Sequence, residues 1–159
     1  VAIARPFNTY GPRQSARAVI PTIVTQILSG KTSIQLGLTT PLRDFTYVED
    51  TVEGLIAVAE QEKTVGETIN LGSGSEISIG DLVAHIATIA GKSVKVVSDT
   101  RRVRPPESEV DRLLCDNRKA AALLDWKPNV SLDDGLRRTL EWFSRPENLA
   151  RYRSDMYNI

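Results

Sequence analysis

The opening stretch, V-A-I-A-R-P-F-N-T-Y-G-P-R from Val1 to Arg13, constrains the fold more than any other part of the chain. Val1 to Ala4 are small and apolar, which predicts a short strand covered on both faces. Pro6 lacks a backbone donor and biases Arg5 toward extended backbone, so ladder pairing is expected to stop there. Gly11-Pro12 is a turn signal. Between the two prolines, Asn8, Thr9 and Tyr10 place three hydrogen-bonding side chains on a predicted loop past the carboxyl end of a strand. Ligands of open α/β sheets bind at that end.

The remainder alternates helical and strand patterns. Val19, Ile20, Ile23, Val24, Ile27 and Leu28 paint one face of a helix that Gly30 ends. Strands are predicted at Ser33–Leu36, Asp44–Val48, Glu67–Leu71 and around Val94–Val97. Asp50 is placed to cap a helix over Thr51–Gln61 whose core face is Val52, Leu55, Ile56 and Ala59. Ser78 with Asp81 resembles a capping box for a helix carrying Leu82, Val83, Ile86 and Ile89. Asp99 to Asp111 breaks all periodicity and reads as a long charged loop. A short helix follows to Leu124, and Ser131 opens a last helix with Leu132, Leu136, Leu140 and Phe143 inside. The expectation is one compact α/β unit over residues 1–159, without repeats or linkers.

Charge and composition narrow the function. Twenty basic and twenty acidic residues give a formal net charge of zero, which argues against a nucleic-acid binder acting through bulk electrostatics. One cysteine, Cys115, and one histidine, His85, exclude an internal disulfide framework and disfavour a structural zinc site. No apolar run reaches the roughly 18 residues of a membrane span, so a soluble, cytoplasmic chain with no membrane partner is expected. His85 lies mid-helix and reads as structural; Cys115 reads as buried packing.

Four segments carry a resemblance. Arg5-Pro6-Phe7-Asn8-Thr9-Tyr10-Gly11-Pro12 is similar to the R-P-x-N-x-Y-G-P segment of the extended short-chain dehydrogenase/reductases, the nucleotide-sugar epimerases and dehydratases. Arg43-Asp44-Phe45-Thr46-Tyr47-Val48-Glu49-Asp50, Asn70-Leu71-Gly72-Ser73-Gly74, and Arg104-Pro105-Pro106 continuing to Trp126-Lys127-Pro128 resemble later family segments in the same order. Two family hallmarks are absent from the 159 residues. There is no glycine-rich dinucleotide fingerprint, since Gly72-Ser73-Gly74 has the wrong spacing. No tyrosine has a lysine four positions on.

The resemblance implies an α/β fold, specifically the C-terminal substrate-binding portion of such an enzyme with the last strands of its Rossmann-like sheet, lacking the N-terminal dinucleotide-binding half. It implies a nucleotide-diphosphate sugar as partner and NAD or NADP as cofactor of the intact family, none being expected on this chain alone. Asn8 would contact the nucleotide-sugar, and the backbone at Pro6 and Phe7 would lie beside the nicotinamide. Arg43 and Arg104 would meet the diphosphate, because a guanidinium fork matches phosphate geometry. Glu107 and Glu109 both suit the ribose hydroxyls, and the Glu109-Val110-Asp111 run favours Glu109. Val19 and Gln35 would line the base pocket. No catalytic acid–base residue and no metal ligand is assigned. The function expected is the substrate-binding part of a 4,6-dehydratase or epimerase, with a slight lean to dehydratase. The alternative is a stand-alone, non-catalytic binding or oligomerisation module. A homodimer is expected from the apolar opening strand.

Overall fold

The computed structural model describes residues 1–102 and 109–152. In chain order the elements are β1 (Ile3–Pro6), β2 (Asn8–Tyr10), α1 (Val19–Leu28), β3 (Ser33–Leu36), β4 (Leu42–Arg43), β5 (Phe45–Tyr47) and α2 (Val48–Glu60). They continue as β6 (Thr68–Leu71), β7 (Ile77–Ser78), α3 (Ile79–Ile89), β8 (Lys95–Ser98), β9 (Arg112–Leu113), α4 (Arg118–Leu124), α5 (Leu132–Ser144) and α6 (Pro146–Leu149). The chain divides into two compact units. The first comprises Val1–Tyr10, Leu42–Ile77 and Arg112–Gly135; the second comprises Gly11–Pro41, Ser78–Asp111 and Leu136–Ile159.

In the first unit three strand pairs are parallel: β1 with β6, β2 with β5, and β4 with β9. Pro6 does not end the ladder. It pairs with Leu71 inside β1, and the Phe7 amide still donates to the Leu71 carbonyl at 2.8 Å. The reason lies in the register. The amides of Ile3 and Phe7 donate to Glu67 and Leu71, so odd-numbered residues turn their backbone toward β6. Ala2, Ala4 and Pro6 turn theirs to the other edge, where a missing N–H breaks no bond to β6. Asn8 to Tyr10, expected as loop, form β2, because the chain changes partner at Phe7 from β6 to β5.

The opening strand is not covered on both faces. Ala2 and Ala4 pack on the cluster of Val58, Ile69, Leu71, Ala120 and Trp126, while Ile3 on the opposite face is 49% exposed. Helix α2 also departs from its sequence pattern. It starts at Val48 with Tyr47 as N-cap, so Asp50 lies within its first turn and not at the cap. Its buried residues are Asp50, Thr51, Gly54 and Val58; Val52, Leu55, Ile56 and Ala59 face solvent. Gly54 explains the choice of face. A Cβ there would stand 2.9 Å from Leu71 Cδ2 and 3.1 Å from Trp126 Cε2, so only the glycine-bearing side allows this close approach to β6.

The second unit holds β3 and β8 as a parallel pair, with α1 and α3 packed together through apolar faces. Ile20, Ile23, Val24 and Ile27 of α1 are buried, as are Leu82, Val83 and Ile86 of α3. Both helices follow the spacing read from the sequence. The Ser78 hydroxyl accepts from the Asp81 amide at 3.0 Å and donates to the Asp81 carboxylate at 2.6 Å, completing the expected cap. Helix α5, which begins in the first unit, buries Leu140 and Phe143 in the second. The Phe143 ring packs against Tyr152, centroids 4.7 Å apart.

Candidate functional site

The carboxyl ends of β1, β4, β6 and β9 meet at Asp44, the residue directly after β4. Its carboxylate has no solvent exposure. Oδ1 accepts from the Ser73 amide at 2.9 Å and the Ser73 hydroxyl at 2.7 Å. Oδ2 accepts from the Gly74 amide at 2.8 Å and the Cys115 amide at 3.1 Å. Ser73 and Gly74 lie just past β6, and Cys115 just past β9. Four donors saturate the acceptor positions of an ionised carboxylate, which lets the charge stay buried. The Asp44 carbonyl accepts from Asn8 Nδ2 at 2.7 Å, and its amide donates to the Leu113 carbonyl at 3.0 Å.

This arrangement brings together Pro6, Phe7, Asn8 and Arg43, all of which lie in the first unit. Asn8 spends one amide hydrogen on Asp44 and keeps Oδ1 and the second amide hydrogen, a matched acceptor–donor pair. Arg43 is half-buried, and its Nη1 donates to the Leu42 carbonyl at 2.9 Å. The other assigned residues belong to the second unit. Val19 opens α1 and is half-buried. The Gln35 backbone is held on both sides by the Gln26 side chain, at 2.9 and 3.2 Å, leaving its own side chain exposed. Glu109 is half-buried. Arg104 and Glu107 lie outside the described residues. In the charged loop, Arg101 grips Asp99 through Nε and Nη2, both at 3.0 Å. Those hydrogen bonds, first among the causes, hold the Asp99 carboxyl at about 2.

A second buried carboxylate orders the neighbouring wall. Asp50 accepts from the amides of Asn129 and Val130 at 2.9 and 3.1 Å, and its carbonyl accepts from Trp126 Nε1 at 3.2 Å. The segment so held forms, with Phe45, Ser73 and Ile77, a cleft of about 360 Å³ floored by Pro128, Asn129 and Leu132. Sequence reasoning passed over Asp44 and misplaced Asp50. The available signal was an acidic residue on each side of a short apolar strand, where charge is too costly to leave unpaired.

Among the described residues, Gly72-Ser73-Gly74 is the one glycine-rich turn after a parallel strand, and it does not suit a dinucleotide. Its amides already serve the Asp44 carboxylate, whose charge would repel a pyrophosphate. Gly72 is required for another reason: a Cβ on it would overlap the Cβ of Cys115. Burial pushes the Cys115 thiol up to about 12, with the nearby Asp44 and Asp116 adding to it, so the group is an inert packing residue. Among the described residues, no three His, Cys, Asp or Glu side chains gather as a metal site, and no helix is long and apolar enough to cross a membrane.

A parallel α/β fold with polar side chains collected at its strand ends is the architecture of nucleotide-binding enzymes. Comparison with known proteins supports that class. The family model described as GDP-mannose 4,6 dehydratase matches residues 1–139. A UDP-N-acetyl-alpha-D-glucosaminuronate decarboxylase of Bacillus cytotoxicus is 37% identical over 153 residues, covering 93% of this chain and 47% of the relative. An epimerase of Methanothermobacter thermautotrophicus superposes with a TM-score of 0.83 at 35% identity, over 94% of this chain and 45% of that one. The UDP-glucuronic acid 4-epimerase of Bacillus cereus, solved with UDP-glucuronic acid and NAD, gives 0.79 at 34% identity, over 89% and 44%. The chain belongs to the GDP-mannose 4,6-dehydratase family of extended short-chain dehydrogenase/reductases that act on nucleotide-sugars.

The chain spans a little under half the length of the relatives it matches. The narrower expectation is corrected by the same findings. The family match begins at residue 1 and runs over the N-terminal part of the chain to residue 139. What it supports is an α/β, Rossmann-like fold of the extended family. The assignment to a C-terminal substrate-binding portion is withdrawn.

Proposed function

We propose that the chain supplies nucleotide-sugar binding to an NAD(P)-dependent enzyme that modifies the hexose, as an epimerase or 4,6-dehydratase. The carrying observation is that Asn8, just past β1, is hydrogen-bonded to the carbonyl of Asp44, and that Arg43, the last residue of β4, directly precedes it. Arg43 is the diphosphate partner, because the net charge of zero leaves a dianion to be held by local cations. Asn8 takes a sugar hydroxyl, which both donates and accepts as its remaining groups do. Val19, Gln35, Arg104 and Glu109 enter the reading as the base, diphosphate and ribose contacts that the family resemblance implies. The Bacillus cereus relative with UDP-glucuronic acid bound supports the ligand class.

In this family NAD(P) supplies hydride transfer when bound. The described residues do not form its pyrophosphate cradle, the Ser73 and Gly74 amides being bound to Asp44, and the 159 residues hold no Tyr-x-x-x-Lys pair. Pro6 and Phe7 enter only as the backbone edge beside the nicotinamide, and no hydride step is assigned to this chain. Calorimetry with UDP, GDP and dTDP tests the reading. Saturable binding of one of them, with no turnover of its sugar conjugate by the 159-residue chain, is expected. Absence of binding to all of them overturns it.

A non-catalytic association module is the second reading, favoured by the edge of β1 that is open among the described residues and by the solvent-facing apolar residues of α2. In it, the chain forms a homodimer through those surfaces.

A further inference from the structure

We propose that Asp44 is a positioning residue for ligand binding, holding Asn8 and Arg43 in place through its own carbonyl and backbone. The proposal rests on the nucleotide-sugar reading and extends it to a residue that touches no ligand.

Asp44 is joined to three other strand ends at once. The carboxylate fixes the turn after β6 through Ser73 and Gly74, and the segment after β9 through Cys115. The carbonyl of the same residue fixes the Asn8 amide past β1 at 2.7 Å. An acceptor on that side also decides which way the Asn8 amide points, since only its nitrogen can face a carbonyl. Arg43 is the preceding residue, so any shift of the Asp44 backbone moves the base of its side chain. The carboxylate and the two ligand-facing groups therefore move as one body.

The chemistry requires a carboxylate and not an amide. Asparagine offers a single oxygen, enough for the two donors at one of the present carboxylate oxygens. In one orientation its NH2 would face the backbone N–H groups of Gly74 and Cys115, and in the other that of Ser73, donor against donor either way. The residue would shift to relieve this, drawing its carbonyl away from Asn8.

The test measures UDP-glucuronic acid affinity by calorimetry for the unaltered chain, Asp44→Asn, Asn8→Ala and the double variant, each well below its melting temperature. Asp44→Asn is expected to weaken binding about tenfold when Asn8 is present. In the Asn8→Ala background it should weaken binding distinctly less, because part of its route to the ligand is gone. Affinity within twofold of the unaltered chain, or equal losses in both backgrounds, overturns the proposal even if stability falls. Should Asp44→Asn not fold, Ser73→Ala removes one bond to Oδ1 together with the hydroxyl's two hydrogen bonds to the Ser75 backbone, and the deciding readout is whether its effect depends on Asn8. A roughly threefold loss that requires Asn8 is then expected, and no loss, or a loss independent of Asn8, overturns it. Failure of the unaltered chain to bind any nucleoside diphosphate overturns the nucleotide-sugar reading and this role together, whereas binding unchanged by Asp44→Asn overturns this role alone.

Discussion

Asn8 and Asp44, thirty-six positions apart, are joined by a 2.7 Å hydrogen bond from the asparagine amide to the aspartate carbonyl. The bond spans the point where the chain leaves one parallel partner, β6, for another, β5. With the β2–β5 ladder, in which Asn8 pairs with Phe45, it holds the R-P-x-N segment against the R-D-F segment. Arg43 thereby lies next to the strand-end polar cluster.

The first prediction concerns that arginine. A charged hydrogen bond is worth about 1.5–3 kcal/mol net of desolvation. Arg43→Ala should therefore weaken nucleoside diphosphate binding roughly ten- to hundredfold. Arg43→Lys should recover only part, because lysine has no planar fork. Titration calorimetry on the three proteins decides it, and equal affinities would remove Arg43 from the site.

Asp50 is expected to matter to stability before binding. It is 2% exposed and accepts from two backbone amides of the cleft wall, those of Asn129 and Val130. Asp50→Ala leaves both N–H groups without that acceptor, at about 1–3 kcal/mol each where burial persists. Urea unfolding should show a midpoint lowered accordingly, with little change in slope. A midpoint equal to that of the unaltered chain would show the wall to be held by other contacts.

Much of the fold was legible because periodicity is local. The helices over Val19–Leu28 and Ile79–Ile89 and the strand Ser33–Leu36 emerged where spacing placed them. Helix α2 reversed its expected face because the sequence counts apolar residues, while docking was decided by the space Gly54 leaves for Leu71 and Trp126. The strand pairing of Pro6 was missed for a related reason. Whether a missing N–H matters depends on which edge it faces, and that is known only once β6 is in place. Asn8 and Arg43 were assigned through motifs, whereas Asp44 and Asp50 were not, since their donors lie 29 or more positions away.

The misread face of α2 yields an association prediction. Val52, Leu55 and Ile56 are 41–51% exposed, and among the described residues β1 pairs only with β6, leaving its other edge open. Exposed apolar surface and a strand with one open edge both favour self-association. Ile56→Glu should shift sedimentation profiles at micromolar concentration from dimer toward monomer while leaving the melting temperature within a few degrees. A monomer before the substitution, or a dimer unaffected by it, counts against the α2 surface as the contact.

The last prediction follows from Cys115. Its thiol is raised to about 12 in the folded chain, by burial first and by Asp44 and Asp116 next, against an ordinary value of 9.0. The neutral form is thus favoured by folding. The associated stability is fully present below about pH 9 and is lost progressively as pH rises toward 12, because the unfolded chain releases the proton first. Cys115→Ser would add a hydroxyl that needs a partner in the same buried space, so Cys115→Ala is the cleaner comparison. Unfolding midpoints of the unaltered chain should fall between pH 8.5 and about 10.5 by more than those of Cys115→Ala. In the same range, alkylation of the native thiol by iodoacetamide should stay far slower than in the urea-unfolded chain. Parallel pH profiles for the two proteins, or a native thiol that alkylates at the unfolded rate, would show that Cys115 is not held neutral by its surroundings.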